Sequence, residues 1–270
     1  MRPSNLQLRL ATAAVGLPAV VALIYTGEWP LALAAGVIAL LAAAEFVHGW
    51  LIPSRPIREV APQATVFAAS AAVVVGVHAD VRFAWAGLAL AAVLLVAGYL
   101  PVNLFGPRRP LRVHGWCILY IGILFSALVL TRDLERGRKW VFLGILGTFA
   151  VDTGAYAVGK LIGRHLMAPK ISPKKTWEGA VGGYVAGVAA VFAMNALFDT
   201  GVSAMTISHF AIAMPLFAEV GDLFESRMKR LMGVKDASGL LPGHGGFLDR
   251  LDSVLFVMPL LWVFLQVRVL

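Results

Sequence analysis

Stretches of about 20 mostly apolar residues recur from one end of this 270-residue chain to the other, broken only by short clusters of Pro, Gly and charge. A helix of that length crosses the hydrocarbon of a bilayer, where backbone polar groups find partners only within helices or closed barrels. The spacing predicts spans near 10–26, 30–48, 63–79, 83–101, 113–131, 139–158, 178–197, 207–225 and 252–269. The expected fold class is therefore all-α, a polytopic integral membrane protein with about nine transmembrane helices. Charged residues make up 14% of the chain and hydrophobic ones 59%, whereas roughly a quarter of a soluble domain is charged. The first run has no convincing small-x-small cleavage site and is followed by further spans, so it is expected to be a retained helix. The single cysteine, Cys117, lies in an apolar run and excludes both a disulfide framework and a zinc site on paired thiolates.

The net charge of +8 is compatible with nucleic acid, anionic lipid or anionic small molecules, and its placement discriminates among them. With nine spans, six of the 23 Lys and Arg residues fall on one side: Arg82, Arg132, Arg136, Arg138, Lys139 and Arg268. The other 17, from Arg2, Arg9, Arg55, Arg58, Arg108, Arg109 and Arg112 onward, share a side with the N-terminus. The positive-inside rule makes that side cytoplasmic, together with the two longest polar loops, 159–177 and 226–251.

Ionisable groups within spans are functional candidates, because hydrocarbon penalises them unless they are paired or hydrated. In the eighth expected span, steps of three and four place Glu219, Asp222, Ser226 and Lys229 on one stripe that should line a wet cavity. Glu219 and Glu225 can equally pair with loop cations at the membrane surface. Pro215 precedes them and either kinks the helix or simply packs. Asp152, in the sixth span, can join the acidic cluster or pair with a loop lysine. Glu45 and His48, near the end of the second span, are expected to form an interfacial pair on one helix face.

The most informative stretch runs from Ser226 to Asp252, SRMKRLMGVKDASGLLPGHGGFLDRLD. Arg227, Lys229, Arg230, Lys235 and Arg250 alternate with Asp236, Asp249 and Asp252, and glycines bracket Pro242 and His244. Glycines let backbone N–H groups approach phosphates, cations neutralise them, and aspartates hold an accompanying divalent ion. In the other loop, Ser172 and Pro173 are expected to cap and begin the seventh span, leaving Lys174 and Lys175 in its first turn as a phosphate site.

These segments resemble the CDP-diacylglycerol synthase, or phosphatidate cytidylyltransferase, family. Ser226 to Asp252 meets the family pattern S-x-apolar-K-R-x4-K-D-x-small-x2-apolar-P-x-H-G-G-apolar-x-D-R-apolar-D at every fixed position. PKISPKKTWEG, residues 169–179, is similar to a second family segment, and the likeness is strongest from Asp152 to Ser253. Residues 1–150 match only as hydrophobic spans, and Gly154 departs from an aromatic residue common in the family.

The resemblance implies transfer of CMP from CTP to phosphatidic acid, dependent on Mg²⁺ with or without a second cation, by a homodimer in the cell inner membrane. It implies metal ligands Asp222 and Asp249, with Asp152 and Glu219 as further candidates. Catalytic candidates are Asp222, Lys229, Arg230, Lys235, Asp236, His244, Asp249, Arg250 and Asp252. Substrate-binding candidates are Lys170, Ser172, Lys174, Lys175, Thr176, Ser226, Gly245 and Gly246. His244 can instead make a structural hydrogen bond in the glycine turn, and Asp252 can pair with Arg250 or cap the last helix. The expected layout is four N-terminal spans in 1–110 and a catalytic region in 111–270. Nucleic acid is not an expected partner.

A transporter of an anionic substrate also uses intramembrane acids and basic loops, but the acids cluster at one face and no internal repeat appears. A lipid-alcohol kinase would transfer the γ-phosphate rather than the nucleotide. The CDP-alcohol phosphotransferase pattern D-G-x2-A-R-x8-G-x3-D-x3-D is absent.

Overall fold

The computed structural model describes residues 5–51, 70, 74, 78 and 110–269. Apart from three single residues, the spans expected at 63–79 and 83–101 lie outside the described residues, as do Arg2, Arg55, Arg58, Arg82, Arg108 and Arg109. Among the described residues, seven helices are long and apolar enough to cross a membrane, and each coincides with an expected span. The protein is a multi-pass membrane protein; the count of nine is not reached among these residues.

Helix α1 covers Asn5–Thr26 and α2 covers Glu28–Leu51. They are followed by α3 (Pro110–Cys117), a π-helical turn at Ile118–Ile123 and α4 (Leu124–Asp133), which together form one span. The π turn carries a Leu124 N–H to Leu119 C=O bond, and five of its residues are buried. Helix α5 runs over Gly137–Ile162, α6 over Trp177–Phe198 and α7 over Ala204–Met232. A short α8 (Leu248–Leu251) leads into α9 (Val254–Arg268). Among the described residues the one departure from an all-α fold is a small antiparallel hairpin, β1 (Leu166–Ala168) and β2 (Ser172–Thr176).

Without a hydrophobic force between helices in lipid, close contact depends on small residues. Helices α5 and α6 meet along such a seam. A Cβ on Gly183 would stand 2.8 Å from Val151 C=O, and one on Gly187 would stand 2.5 Å from Val151 Cγ2 and 2.7 Å from Pro215 Cγ. Gly154 belongs to the same seam: a Cβ there would meet Ala186 Cβ at 2.5 Å. An aromatic side chain at 154 has no room while α5 and α6 stay this close. Pro215 of α7 is buried against the seam. The deepest packing is around α9, where Trp262, Leu261, Met258 and Leu255 are wholly buried with Phe210 of α7 and Leu143 of α5.

The ends of the bundle differ chemically. At one end Arg132 donates to Ile24 C=O and Tyr25 C=O, Arg136 to Thr200 C=O, and Lys139 to Asp199 C=O, so cations cap helix termini. The N-terminus of α1, the hairpin and the 233–247 loop gather at the other end, where Arg9 donates to Gly243 C=O and Arg230 to Ile171 C=O. This agrees with the side-by-side grouping expected from the charge count.

Candidate active site

The hairpin between α5 and α6 replaces the helical start expected at Ser172. Thr176, not Ser172, is the N-cap of α6: its Oγ1 accepts from Gly179 N–H at 3.1 Å. Ser172 to Thr176 stay extended because Leu166 pairs with Thr176 and Ala168 with Ser172. Pro173 costs no ladder bond in a two-stranded ribbon that has a free edge. Glu178, in the first turn of α6, accepts from the N–H groups of Arg164 and His165 and lies 2.5 Å from His165 Nδ1, which fixes the hairpin to the helix. Lys174 and Lys175 therefore project from a strand rather than from a helical first turn.

Strand β2 delivers Lys175 to the acidic stripe of α7. Its Nζ lies 2.7 Å from both Glu219 Oε2 and Asp222 Oδ2. Burial disfavours the ammonium, but the carboxylates of Asp222 and Glu219 outweigh burial and hold its pKa above the ordinary lysine value. Ser226, one turn on, donates to Asp222 Oδ1 at 3.3 Å. The stripe thus faces the protein interior, where Glu219 pairs with a cation of the 159–177 loop. Glu225 is also internal: it is 1% exposed, and Lys229 Nζ stands 2.6 Å from its Oε2.

The junction of α8 and α9 brings the remaining acids against α7. Gly221 makes the approach feasible, since a Cβ there would meet Asp252 C=O at 2.7 Å. Ser253 Oγ donates to Ala218 C=O at 3.0 Å and pins the junction. Asp252 accepts the Ser253 N–H at 2.7 Å, but Ser253 and not Asp252 is the N-cap of α9 and no side chain caps that helix, so the expected capping role falls away. Asp249 is held by three donors: Gly246 N–H at 2.7 Å, Ala237 N–H at 3.0 Å, and Lys229 Nζ at 2.7 Å.

These groups surround one cavity of about 570 Å³. Its polar walls include Asp152, Lys174, Lys175, Thr176, Glu219, Asp222, Asp249, Arg250 and Asp252. Lys160, Phe149, Tyr156 and Met167 extend the wall, and Tyr156 is 68% exposed on the outer side of α5. Asp152 therefore joins the acidic cluster.

Other expected residues lie elsewhere. Lys229 turns away from the cavity, between Glu225 and Asp249. Arg230 ties α7 to the hairpin turn by donating to Ile171 C=O and Val234 C=O. Lys235, Asp236 and Lys170 are exposed and are not among the cavity walls, and neither are Ser172 and His244. Gly245 and Gly246 sit behind Asp249, whose Oδ2 would be 2.7 Å from a Cβ on Gly245. The space beside Gly246 is filled from within the protein by the carboxylate of Glu45, 2.5 Å from where a Cβ would be.

Glu45 overturns one expectation. It is 1% exposed and bonded to the glycine loop, so it is a buried anchor of that loop rather than a residue at an interfacial helix face. Its partners are about 200 residues away in sequence, and only its presence as an acid inside a span singled it out.

The donor set suits a hard cation. Oxygen ligands alone line the acidic wall, and Mg²⁺ characteristically takes one or two protein carboxylates and completes its shell with water and substrate phosphate. Among the described residues no group of three or more His, Cys, Asp or Glu is placed to hold a metal ion.

The sequence matches the model described as the cytidylyltransferase family over residues 7–268. Over 148 residues, 55% of this chain, it is 42% identical to a phosphatidate cytidylyltransferase of Staphylococcus saprophyticus, covering 56% of that relative. Phosphatidate cytidylyltransferases of Staphylococcus epidermidis and Staphylococcus aureus are 40% identical over the same shares. The chain thus spans about half the length of the curated relatives it matches.

Proposed function

Because the chain belongs to the cytidylyltransferase family, we propose that it transfers the cytidylyl group of CTP to phosphatidate, releasing pyrophosphate and forming CDP-diacylglycerol. The relatives' names supply the substrates, and one observation supports them. A single cavity combines a cationic wall of Lys160, Lys174, Lys175 and Arg250 with an acidic wall of Asp152, Asp222 and Asp252, and continues into the apolar surface of Phe149, Tyr156 and Met167. Such a cavity suits a reaction between a nucleotide and the headgroup of a lipid still anchored in the membrane.

In this scheme a phosphate oxygen of phosphatidate, already ionised near neutral pH, attacks the α-phosphorus of CTP, and the bond to the pyrophosphate oxygen breaks. No general base is needed. Two anions must meet, so catalysis rests on positioning and charge neutralisation. Lys174, Lys175 and Arg250 would neutralise the phosphates, with Lys160 at the mouth. Asp222 and Asp249, with Asp152 and Glu219 beside them, would hold Mg²⁺, alone or with a second cation, and the ion supplies further neutralisation of triphosphate charge. Lys229, Gly246 and Ala237 keep Asp249 oriented.

The end bearing the hairpin and the glycine loop would face the cytoplasm of the inner membrane, because most Lys and Arg gather there. Residues 111–270 would form the catalytic region, with α1 and α2 as its support. A homodimeric state rests on family resemblance alone.

The test is incubation of purified protein in detergent with α-labelled CTP, phosphatidate and Mg²⁺, with an EDTA control. Label should enter the organic phase only with metal, and pyrophosphate should appear in equal amount. Label entering only from γ-labelled nucleotide would indicate a kinase, and no phosphatidate-dependent pyrophosphate would overturn the proposal.

A further inference from the structure

The glycine loop does not hold its own shape. Gly245, with φ of +83°, and Gly243, with φ of +77°, give it a tight bend, and its internal bonds are local: an isolated bridge between Leu241 and Gly245, His244 N–H to Leu241 C=O, and Leu240 N–H to Ser238 Oγ. Most of its remaining anchors come from other helices. Glu45 of α2 accepts from Ser238 Oγ at 2.6 Å, Phe247 N–H at 3.0 Å and Leu248 N–H at 2.8 Å. Arg9 and Thr12 of α1 donate to Gly243 C=O at 2.8 Å and Pro242 C=O at 2.9 Å.

The two N–H groups that Glu45 accepts belong to the residues that open α8. That helix carries Asp249 and Arg250 into the cavity and leads to Asp252. Backbone amides at the start of a helix have no intrahelical partner, so a carboxylate from α2 both satisfies them and fixes the helix direction. Ser238, bonded to the same carboxylate, is next to Ala237, whose N–H holds Asp249. Both ends of the loop are thus referenced to one side chain. Gly246 has no side chain to displace it, since a Cβ would stand 2.5 Å from Glu45 Oε2.

We infer that Glu45 is a positioning residue: through the Ser238, Phe247 and Leu248 donors it sets the placement of Asp249, Arg250 and Asp252, with Arg9 and Thr12 restraining the loop tip. The inference rests on the proposed cytidylyl transfer for its kinetic consequence, but the tether itself does not depend on that reaction.

The Glu45→Gln variant keeps the volume of the side chain but replaces an acceptor oxygen by an NH2 group facing donors. Two readouts separate the tether from the reaction. Amide hydrogen exchange in detergent should speed up at residues 245–249 in Glu45→Gln, while peptides of α5 and α6 exchange as in the wild type. Turnover of CTP with phosphatidate should fall roughly 10- to 100-fold in kcat, with KM for CTP within about twofold, because displaced groups lose reacting geometry. Ser238→Ala, which deletes one donor to Glu45 and the acceptor of the exposed Leu240 N–H but leaves no donor facing a donor, should lower kcat about threefold with a smaller drop in thermal midpoint than Glu45→Gln, and it carries the test if Glu45→Gln does not fold.

Unchanged exchange at 245–249 in Glu45→Gln, or in Ser238→Ala if that variant has to serve, overturns the tether. Faster exchange with wild-type kcat overturns the positioning role. Faster exchange in a protein whose wild type transfers no cytidylyl group leaves the tether standing and removes the proposed function instead.

Discussion

The ammonium of Lys175 lies 2.7 Å from the carboxylate of Asp222, although one belongs to a strand of the hairpin and the other to the C-terminal half of a membrane-spanning helix. The same ammonium lies 2.7 Å from Glu219. A single cation therefore bridges two acids that hydrocarbon would otherwise penalise, offsetting one of their two negative charges at the wall of the cavity. Removing one partner of a buried pair costs more than the pair contributes, because the other charge is stranded.

Lys175→Met should accordingly lose both stability and turnover. Under the proposed reaction, removing this fixed charge from the cavity wall should cost about 100-fold in kcat/KM. Lys175→Arg should recover part of it. A Lys175→Met enzyme within about twofold of wild type would remove Lys175 from the mechanism.

The pH dependence of that pair has a definite sign. The folded-state pKa of Lys175 lies above the ordinary value of 10.5, so its stabilising contribution is complete below 10.5 and is lost as pH rises through the higher folded value. The difference in thermal midpoint between wild type and Lys175→Met should stay constant from about pH 7 to 9 and narrow only above the ordinary lysine value. Narrowing near neutrality would contradict the pairing.

Asp222→Asn and Asp249→Asn should differ. Asp222 has one ammonium and one hydroxyl as partners, so its amide should fold while cytidylyl transfer is abolished. Asp249 binds Lys229 and two backbone N–H groups, so Asp249→Asn should lose turnover and also about 3 kcal/mol of stability. Equal thermal midpoints for the two variants would show that Asp249 does not organise the loop.

Gly154→Leu places four carbons where α5 touches α6, beginning 2.5 Å from Ala186 Cβ. Overpacking should cost about 1–3 kcal/mol, read as a lower thermal midpoint. Unchanged stability would mean that the seam can open.

Individual residues show how far the sequence was legible. Glu219, Asp222 and Ser226 were placed on one inward stripe by counting along a single helix, and they share it in the structure. Lys175 lines the cavity, but from a strand rather than from the helical first turn expected of it. Ser172 and Pro173 carry a helix-start signal, and pairing of β1 with β2 overrides it. Lys229 belongs to the same stripe as Asp222, yet turns away because Glu225 and Asp249 flank it from two helices.

By itself the sequence determined the seven membrane-spanning helices seen among the described residues, with boundaries within about four residues except at the end of α7, and the polar segments that build the cavity. Each follows from local physics: the cost of polar groups in lipid, helical periodicity, and loop chemistry confined to short windows. Only the tertiary structure decided which charges meet. Glu45 and Leu248, or Lys175 and Asp222, become partners because helices pack at ångström distances set by small residues such as Gly221 and Gly246, and no local pattern in a chain encodes a contact 200 residues away.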